Sequence, residues 1–220
     1  AHDFDNALAL YDSITQKYDG SPKDFDFDQI YKRKIAYFAR IQRNPKAAIA
    51  NLKADAANSK LPKNVKKNLK DWIHYFESWS EEGAKDPAKL SNENFLAYAK
   101  AETDKNTSGR KISIADPAIV NLLRVSGLLY ERVFKTPNVT STPEMLYLLA
   151  KCERDLSPIQ KYSLADIYLR ECVLEFPKSS IAKKCFKDYE ISLKQKVTFD
   201  SDYIKGNIDF LRRHMENSAN

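Results

Sequence analysis

Glycine is scarce in this chain, at 5 residues in 220. Hairpins between β-strands commonly place Asn-Gly or Asp-Gly between two alternating apolar runs. Asp19-Gly20 is such a pair, but helical patterns flank it on both sides. The sequence therefore lacks strand signals and predicts an all-α protein.

Long apolar runs are also missing. A membrane-spanning helix needs about 18 or more consecutive apolar residues. The longest apolar stretch, Ile119 to Tyr130, is interrupted by Asn121 and Arg124. We therefore expect no transmembrane segment.

The residue patterns of common catalytic and metal sites are absent as well. His2, His74 and His214 have no Cys, Asp or Glu partner at a ligand spacing. The sequence has no HExxH motif, Walker loop, GxSxG elbow or paired-cysteine zinc pattern. We therefore expect no enzymatic activity, no metal and no cofactor.

The charge balance is mildly basic, with 36 Lys and Arg against 30 Asp and Glu. A net charge of +6 favours acidic partners slightly and does not by itself indicate specific nucleic acid binding. A lysine-rich segment, 60–70, lies opposite the apolar stripe of a predicted helix and contains Lys60, Lys63, Lys66, Lys67 and Lys70. A solvated helix face is the favoured interpretation of these lysines, and polyanion binding is the alternative.

Helical periodicity accounts for most of the chain. Helices are predicted at 4–18, 25–42, 45–56, 62–79, 92–100, 117–134, 143–155, 158–175, 180–196 and 201–216. The second has an apolar stripe of Phe27, Ile30, Tyr31, Ile35, Phe38 and Ile41. The fourth aligns Val65, Leu69, Trp72, Ile73 and Phe76, and Trp72 is expected to lie in the core. The last has Ile204, Ile208, Leu211 and Met215 on one face, and its other face is predicted to be polar.

One spacing pattern recurs three times along the chain. The pattern consists of four positions spaced at intervals of 4, 3 and 4. It begins with a small residue, continues with a bulky and an apolar residue, and finishes where the helix is predicted to end. The copies are Ala7, Tyr11, Ile14 and Tyr18; Ser126, Tyr130, Val133 and Pro137; and Ala165, Leu169, Cys172 and Phe176. Recurring helices of this kind predict stacked antiparallel helical hairpins.

The segment LRECVLEFPKSS resembles the end of the second helix in tetratricopeptide repeats, especially those of bacterial envelope proteins such as outer-membrane assembly lipoproteins and Tol–Pal coordinators. The resemblance implies an α-solenoid that binds proteins in the cell envelope. Ala7, Ser126 and Ala165 would be the small residues where paired helices approach closely. The Trp-x-x-Leu-Gly signature of the family is absent.

The resemblance also implies a binding groove, because the first helices of such repeats line the concave face. With Ala36 and Ala150 as the small packing residues, the candidate ligand-binding residues are Arg33, Tyr37, Arg40, Tyr147, Lys151 and Arg154. Both sets mix aromatic and basic side chains, which suits an acidic or carboxylate-bearing peptide.

Composition divides the chain into an N-terminal helical lobe (1–80), a connecting segment with a short helix (81–116) and a C-terminal lobe with a capping helix (117–220). In the connecting segment, two polar stretches, one of which contains Gly83 and Pro87, flank a short helix predicted near Asn92 to Lys100.

The cysteines bear on the cellular compartment. Cys172 and Cys185 lie at similar distances from the predicted turn near Lys178, so they face each other across a helical hairpin and are the disulfide candidate. Three buried, reduced thiols are the alternative, and Cys152 is expected to stay outside any bridge. A bridge would argue for an oxidising compartment. The Ala1 start fits a cleaved secretory signal and a trimmed expression product equally well.

These observations predict a non-catalytic, helical repeat scaffold that binds a protein or peptide, with a periplasmic or otherwise extracytoplasmic location. A polyanion-binding protein that uses segment 60–70 and a structural subunit of an assembly are the alternatives. The identity of the partner, the oligomeric state and the register of the repeats stay open.

Overall fold

The structure is a computed structural model that describes residues 3–23, 25–106, 116–135, 140–160, 163–195 and 200–219. These residues form α-helices, one π-helical segment and two short 3-10 turns, and none of them lies in a β-strand. The predicted all-α class is therefore confirmed. The α-helices are α1 (Phe4–Lys17), α2 (Phe27–Ala36), α3 (Pro45–Ala56), α4 (Lys63–Ser80), α5 (Asn92–Asn106), α6 (Pro117–Lys135), α7 (Thr142–Gln160), α8 (Ala165–Glu175), α9 (Ala182–Lys194) and α10 (Ser201–Ala219).

A π-helical segment, Tyr37–Gln42, continues α2 without a break and ends at Arg43, which has a left-handed φ of 50°. A π-helix is wider than an α-helix, so it rotates the side chains that follow away from their α-helical register. Ala39 is fully buried here, whereas Ile41 is 44 % exposed. Ile41 therefore departs from the apolar stripe predicted for 25–42, because the period of 3.6 residues does not hold over this segment.

The helix predicted at 158–175 is in fact two elements, since α7 runs to Gln160 and α8 begins at Ala165. Pro158 has no N–H to donate to the carbonyl of Arg154, four residues earlier. The hydroxyl of Ser157 donates to that carbonyl at 2.8 Å instead. The carbonyl stays hydrogen-bonded, and the helix continues past the proline.

Two compact units divide the chain. The first contains Ala1–Leu90 and Ser108–Leu128, and the second contains Ser91–Thr107 and Leu129–Asn220. The two units are bounded differently from the predicted lobes of 1–80 and 117–220. The first part of α6 belongs to the first unit, and α5, which was predicted to lie in the connecting segment 81–116, belongs to the second.

The core of the first unit surrounds the buried face of α4, which packs on α3. Trp72 is 1 % exposed, and its ring centroid lies 5.2 Å from that of Tyr31. The predicted burial of Trp72 is confirmed. On α6, Arg124 is also 1 % exposed and stacks 4.0 Å above the Trp79 ring. It forms ion pairs with Glu82 and Asp86. These contacts explain why this part of α6 belongs with α4.

In the second unit, α7 packs on α8, α8 packs on α9, and α10 contacts both α8 and α9. α5 contacts α7 and buries Phe95 and Ala99 completely. Arg132, on the last part of α6, lies 4.1 Å above the Phe95 ring and donates to the side-chain oxygen of Asn92 at 2.7 Å. These contacts make α5 part of the core of the second unit.

Helix α10 buries Ile208 and Leu211 on its predicted apolar face. Its opposite face is less polar than predicted, because Tyr203 is 52 % exposed and Phe210 is 49 % exposed. Two exposed aromatics seven residues apart lie on the same side of a helix.

Candidate functional site

The second unit brings three candidate residues together on one side of α7. Tyr147, Lys151 and Arg154 follow one another at intervals of four and three residues, so they share a helix face. The other side of α7 is buried and holds the helix in place through Met145, Leu148, Leu149, Cys152 and Leu156. A buried face on one side leaves the three polar side chains at the surface.

Carboxylates from two other helices meet these side chains. Lys151 Nζ lies 2.8 Å from Asp104 Oδ1 on α5. On α9, Asp188 Oδ2 accepts a hydrogen bond from the Tyr147 hydroxyl at 3.1 Å and lies 3.4 Å from Arg154 Nη2. We call these five residues the α7 face: Asp104, Tyr147, Lys151, Arg154 and Asp188.

The ionisation of the α7 face follows from these contacts. The hydrogen bond and the positive charge of Lys151 lower the pKa of Asp104. Partial burial, followed by the charge and the hydrogen bond of Asp188, raises the pKa of the Tyr147 hydroxyl. At neutral pH, Tyr147 is therefore a hydrogen-bond donor and Asp104 an acceptor. The face offers a ligand both donors and acceptors.

The candidate residues on α2 and the π-helical segment belong to the first unit, whereas the α7 set belongs to the second. Two of them contact α1. Arg33 Nη1 donates to the Tyr11 hydroxyl at 2.9 Å, and the Tyr37 hydroxyl donates to Asp5 Oδ1 at 2.6 Å. The hydrogen bond to Asp5 is the main cause that raises the pKa of Tyr37.

Arg40 lies one turn further on, within the π-helical segment, and is half-buried. A Cβ atom added to Gly127 on α6 would meet the backbone carbonyl of Arg40 first. The π-helical register separates Arg40 from the positions that an α-helix would align with Arg33 and Tyr37.

A buried cluster of charges in the first unit was not predicted. Lys34 is fully buried and forms ion pairs with Asp55, which is also fully buried, and with Asp12, at 2.7 Å. The Thr15 hydroxyl donates to Asp55 Oδ1 at 2.8 Å. Burial, with Asp55 and Asp12 nearby, raises the pKa of the Tyr31 hydroxyl. The cluster joins α1, α2 and α3, and because it is buried we assign it a structural role. The sequence signal that could have predicted it is a lysine, Lys34, within the apolar stripe of α2.

The lysine-rich segment forms an ordered surface on α4. Lys63, Lys67 and Lys70 are exposed and lie at intervals of four and three residues, and exposed His74 follows after four more. We call Lys63, Lys67 and Lys70 the lysine stripe. Lys60 precedes the helix, and Lys66 is half-buried and donates to the carbonyl of Ser59 at 2.8 Å, so neither belongs to the stripe.

The candidate cysteine pair is bonded in the structure. Cys172 on α8 and Cys185 on α9 form a disulfide with a Cα–Cα distance of 6.3 Å, and both residues are fully buried. Cys152 on α7 is buried and is not disulfide-bonded. The bridge joins the two helices of one hairpin.

Other site types find little support in the described part of the chain. No group of three or more His, Cys, Asp or Glu side chains is arranged to hold a metal ion there. Within the same residues, no helix combines the length and the apolar character that crossing a membrane requires. A shallow recess of about 350 Å³ between α9 and α10 contains Lys194 and Arg212, which pair with Glu190.

Comparisons of the chain with protein-family models, with curated proteins and with solved structures found no match. The resemblance to tetratricopeptide repeats therefore stays an expectation from the residue pattern.

Proposed function

We propose that this chain is a non-catalytic helical scaffold that binds a segment of another protein on the α7 face. The observation that carries this proposal is the meeting of α5, α7 and α9 side chains on one surface, through Asp104, Lys151, Arg154 and Asp188. These helices alternate along the chain with α6, α8 and α10. α7 packs on α8 and α9 contacts α10. We therefore propose that α7 and α9 are the first helices of two hairpins, which is the arrangement expected for a tetratricopeptide-like solenoid.

The chemistry of the α7 face favours a ligand that carries a carboxylate. Arg154 is 48 % exposed in its side chain, and its contact with Asp188 is long, at 3.4 Å. Exposed ion pairs contribute little stability, so a ligand carboxylate can take the guanidinium at small cost. An arginine fork can then bind that carboxylate through two parallel hydrogen bonds.

The rest of the α7 face favours a peptide over a small anion. Asp188 and Asp104 accept hydrogen bonds, and each can receive a backbone or side-chain N–H from a ligand. Tyr147 is half-exposed and supplies apolar area next to a donor group. A polypeptide has all three complements: carboxylates, N–H donors and apolar side chains.

The location that we propose is extracytoplasmic, in a bacterial cell envelope. The buried Cys172–Cys185 disulfide supports this location, because such bonds persist in oxidising compartments and are rare in the cytosol. The residue pattern shared with envelope repeat proteins supports it independently.

A peptide selection tests the proposed site. Random peptides displayed on phage would be selected on the full chain, and the affinities of the enriched peptides measured by fluorescence anisotropy. We expect enrichment of Asp or Glu, and binding about tenfold to a hundredfold weaker for Arg154→Glu, because the change removes one attraction and adds a repulsion.

Arg213→Glu is the matched control, since Arg213 is an exposed arginine on α10 outside the α7 face. Its affinity for the same peptides should stay within about twofold of the parent chain. Equal binding by the parent and by Arg154→Glu would contradict the proposal, as would an equal loss in both variants.

A further inference from the structure

We propose that the lysine stripe on α4 is a second binding site, separate from the α7 face, for an acidic peptide segment that presents one carboxylate per helical turn. On a helical projection, the stripe points away from the buried residues Val65, Leu69, Trp72, Phe76 and Trp79. Successive intervals of four, three and four residues place Lys63, Lys67, Lys70 and His74 on a straight line about 16 Å long.

In the described part of the chain, the lysines of the stripe have no internal counter-ion. Among the residues that the structure describes, no carboxylate lies within ion-pair distance of Lys63, Lys67 or Lys70. By contrast, Lys53 pairs with Glu77, and Lys194 pairs with Glu190. Three aligned, unneutralised ammonium groups attract anions more strongly than charges that are already paired.

The lysine stripe does not stabilise α4, because it begins at the N-terminal end of the helix. The N-terminal end of a helix carries a partial positive charge, and acidic residues stabilise it. The first turn of α4 has no acidic residue, and its N-cap, Pro62, makes no side-chain hydrogen bond to the helix. Like charges three and four residues apart also repel. The lysines thus weaken the helix end that carries them, and an acidic partner would relieve both effects.

The surroundings of the stripe exclude two kinds of polyanion. Single-stranded nucleic acids bind on exposed aromatic side chains. On α4, Trp72, Phe76 and Trp79 are buried, and the Tyr75 hydroxyl is engaged with Asn121 on α6. A flat anionic membrane would meet exposed Asp71 beside the stripe as well as the lysines, and the exposed face of α4 has no large apolar residue to insert.

An acidic peptide helix matches the stripe by its geometry. Glutamates at positions i, i+4, i+7 and i+11 of a second α-helix repeat with the same rise and the same intervals as the stripe. Each carboxylate can then meet one cationic or imidazole side chain, as in the flanking charges of paired helices. Lysine suits this partner, because its ammonium group makes single-point contacts, whereas bidentate phosphate binding favours arginine.

The test uses a fluorescein-labelled, alanine-based peptide with glutamate at those four positions, and a matched peptide with glutamine there. Three proteins are titrated: the full chain, Lys63→Gln/Lys67→Gln/Lys70→Gln, and a control, Lys183→Gln/Lys184→Gln/Lys187→Gln. The control removes three exposed lysines from α9, so both variants lose the same charge. The stripe variant should melt no lower than the parent chain, since its lysines repel one another.

We expect the glutamate peptide to bind the parent chain and the control within about twofold of each other, and the stripe variant about tenfold more weakly. Binding should weaken steeply between about 0.05 M and about 0.5 M salt, and the glutamine peptide should not bind. An equal loss of affinity for the glutamate peptide in both variants would mean that net charge alone explains the binding, and it would overturn the proposal. Tighter, stripe-dependent binding of polyphosphate, a sulfated polysaccharide, single-stranded DNA or phosphatidylserine vesicles would overturn the choice of an acidic peptide.

Discussion

Gly127 on α6 provides the sharpest test of the packing in the first unit. A Cβ atom at this position would lie 3.1 Å from the carbonyl carbon and from the Cα of Arg40, and closer still to the carbonyl oxygen. Favourable contacts between non-bonded heavy atoms require about 3.5–4.0 Å. The obstacle is backbone within a helical segment, so it cannot turn aside as a flexible side chain would.

Two opposing effects set the magnitude for Gly127→Ala. Replacing a helical glycine by alanine stabilises a helix by about 1 kcal/mol when nothing else changes. Forcing a methyl group into a closed contact costs about 1–3 kcal/mol, because packed elements must separate. With backbone on the other side we expect the upper part of that range, and a net loss of about 1–2 kcal/mol.

Gly206→Ala is the matched control, because Gly206 is also helical and a Cβ there would have no neighbour within 4 Å. Thermal melting followed by circular dichroism should show Gly206→Ala unchanged or more stable. Gly127→Ala should melt several degrees lower, at about 2–4 °C per kcal/mol for a chain of this size. If Gly127→Ala is stabilised as much as Gly206→Ala, the close contact between α6 and the π-helical segment does not exist.

Trp72→Ala should lose about 3–5 kcal/mol of unfolding free energy in urea titrations, through lost burial and a residual cavity, and an unchanged midpoint would contradict the core assignment. Alkylation of the denatured, unreduced chain should add one label by intact mass, at Cys152, because Cys172 and Cys185 are bonded; three labels would rule the bridge out. The raised pKa of Tyr31 means that the folded chain holds this proton more tightly than the unfolded chain, whose tyrosines ionise near pH 10. The unfolding free energy of the parent chain should therefore fall as the pH rises above about 10, and that of Tyr31→Phe should fall less. Identical dependence of the two unfolding free energies on alkaline pH would refute this.

The local pattern of the chain determined the helices and much of the core. A period of 3.6 residues is visible within about a dozen residues, so the class and the burial of Trp72 could be predicted without tertiary information. The same pattern placed Tyr147, Lys151 and Arg154 on one face of α7, and the turn near Lys178 placed Cys172 opposite Cys185.

The contacts that complete these features were decided by tertiary structure. Asp104 is 47 residues from Lys151, and Asp188 is 41 residues from Tyr147 and 34 from Arg154. No local period relates residues so far apart. Lys34 is buried because Asp12 and Asp55 arrive from two other helices, and a buried lysine is stable only when such partners are present.

The π-helical segment also depends on packing, because the apolar pattern of 25–42 continues with an α-helical period through Ile41. The division of α6 between the two compact units also depends on packing, since one continuous helix contacts α4 through Arg124 and α5 through Arg132. Sequence periodicity shows which side of a helix is apolar. The partner of each side depends on residues far along the chain, and only the folded arrangement brings them together.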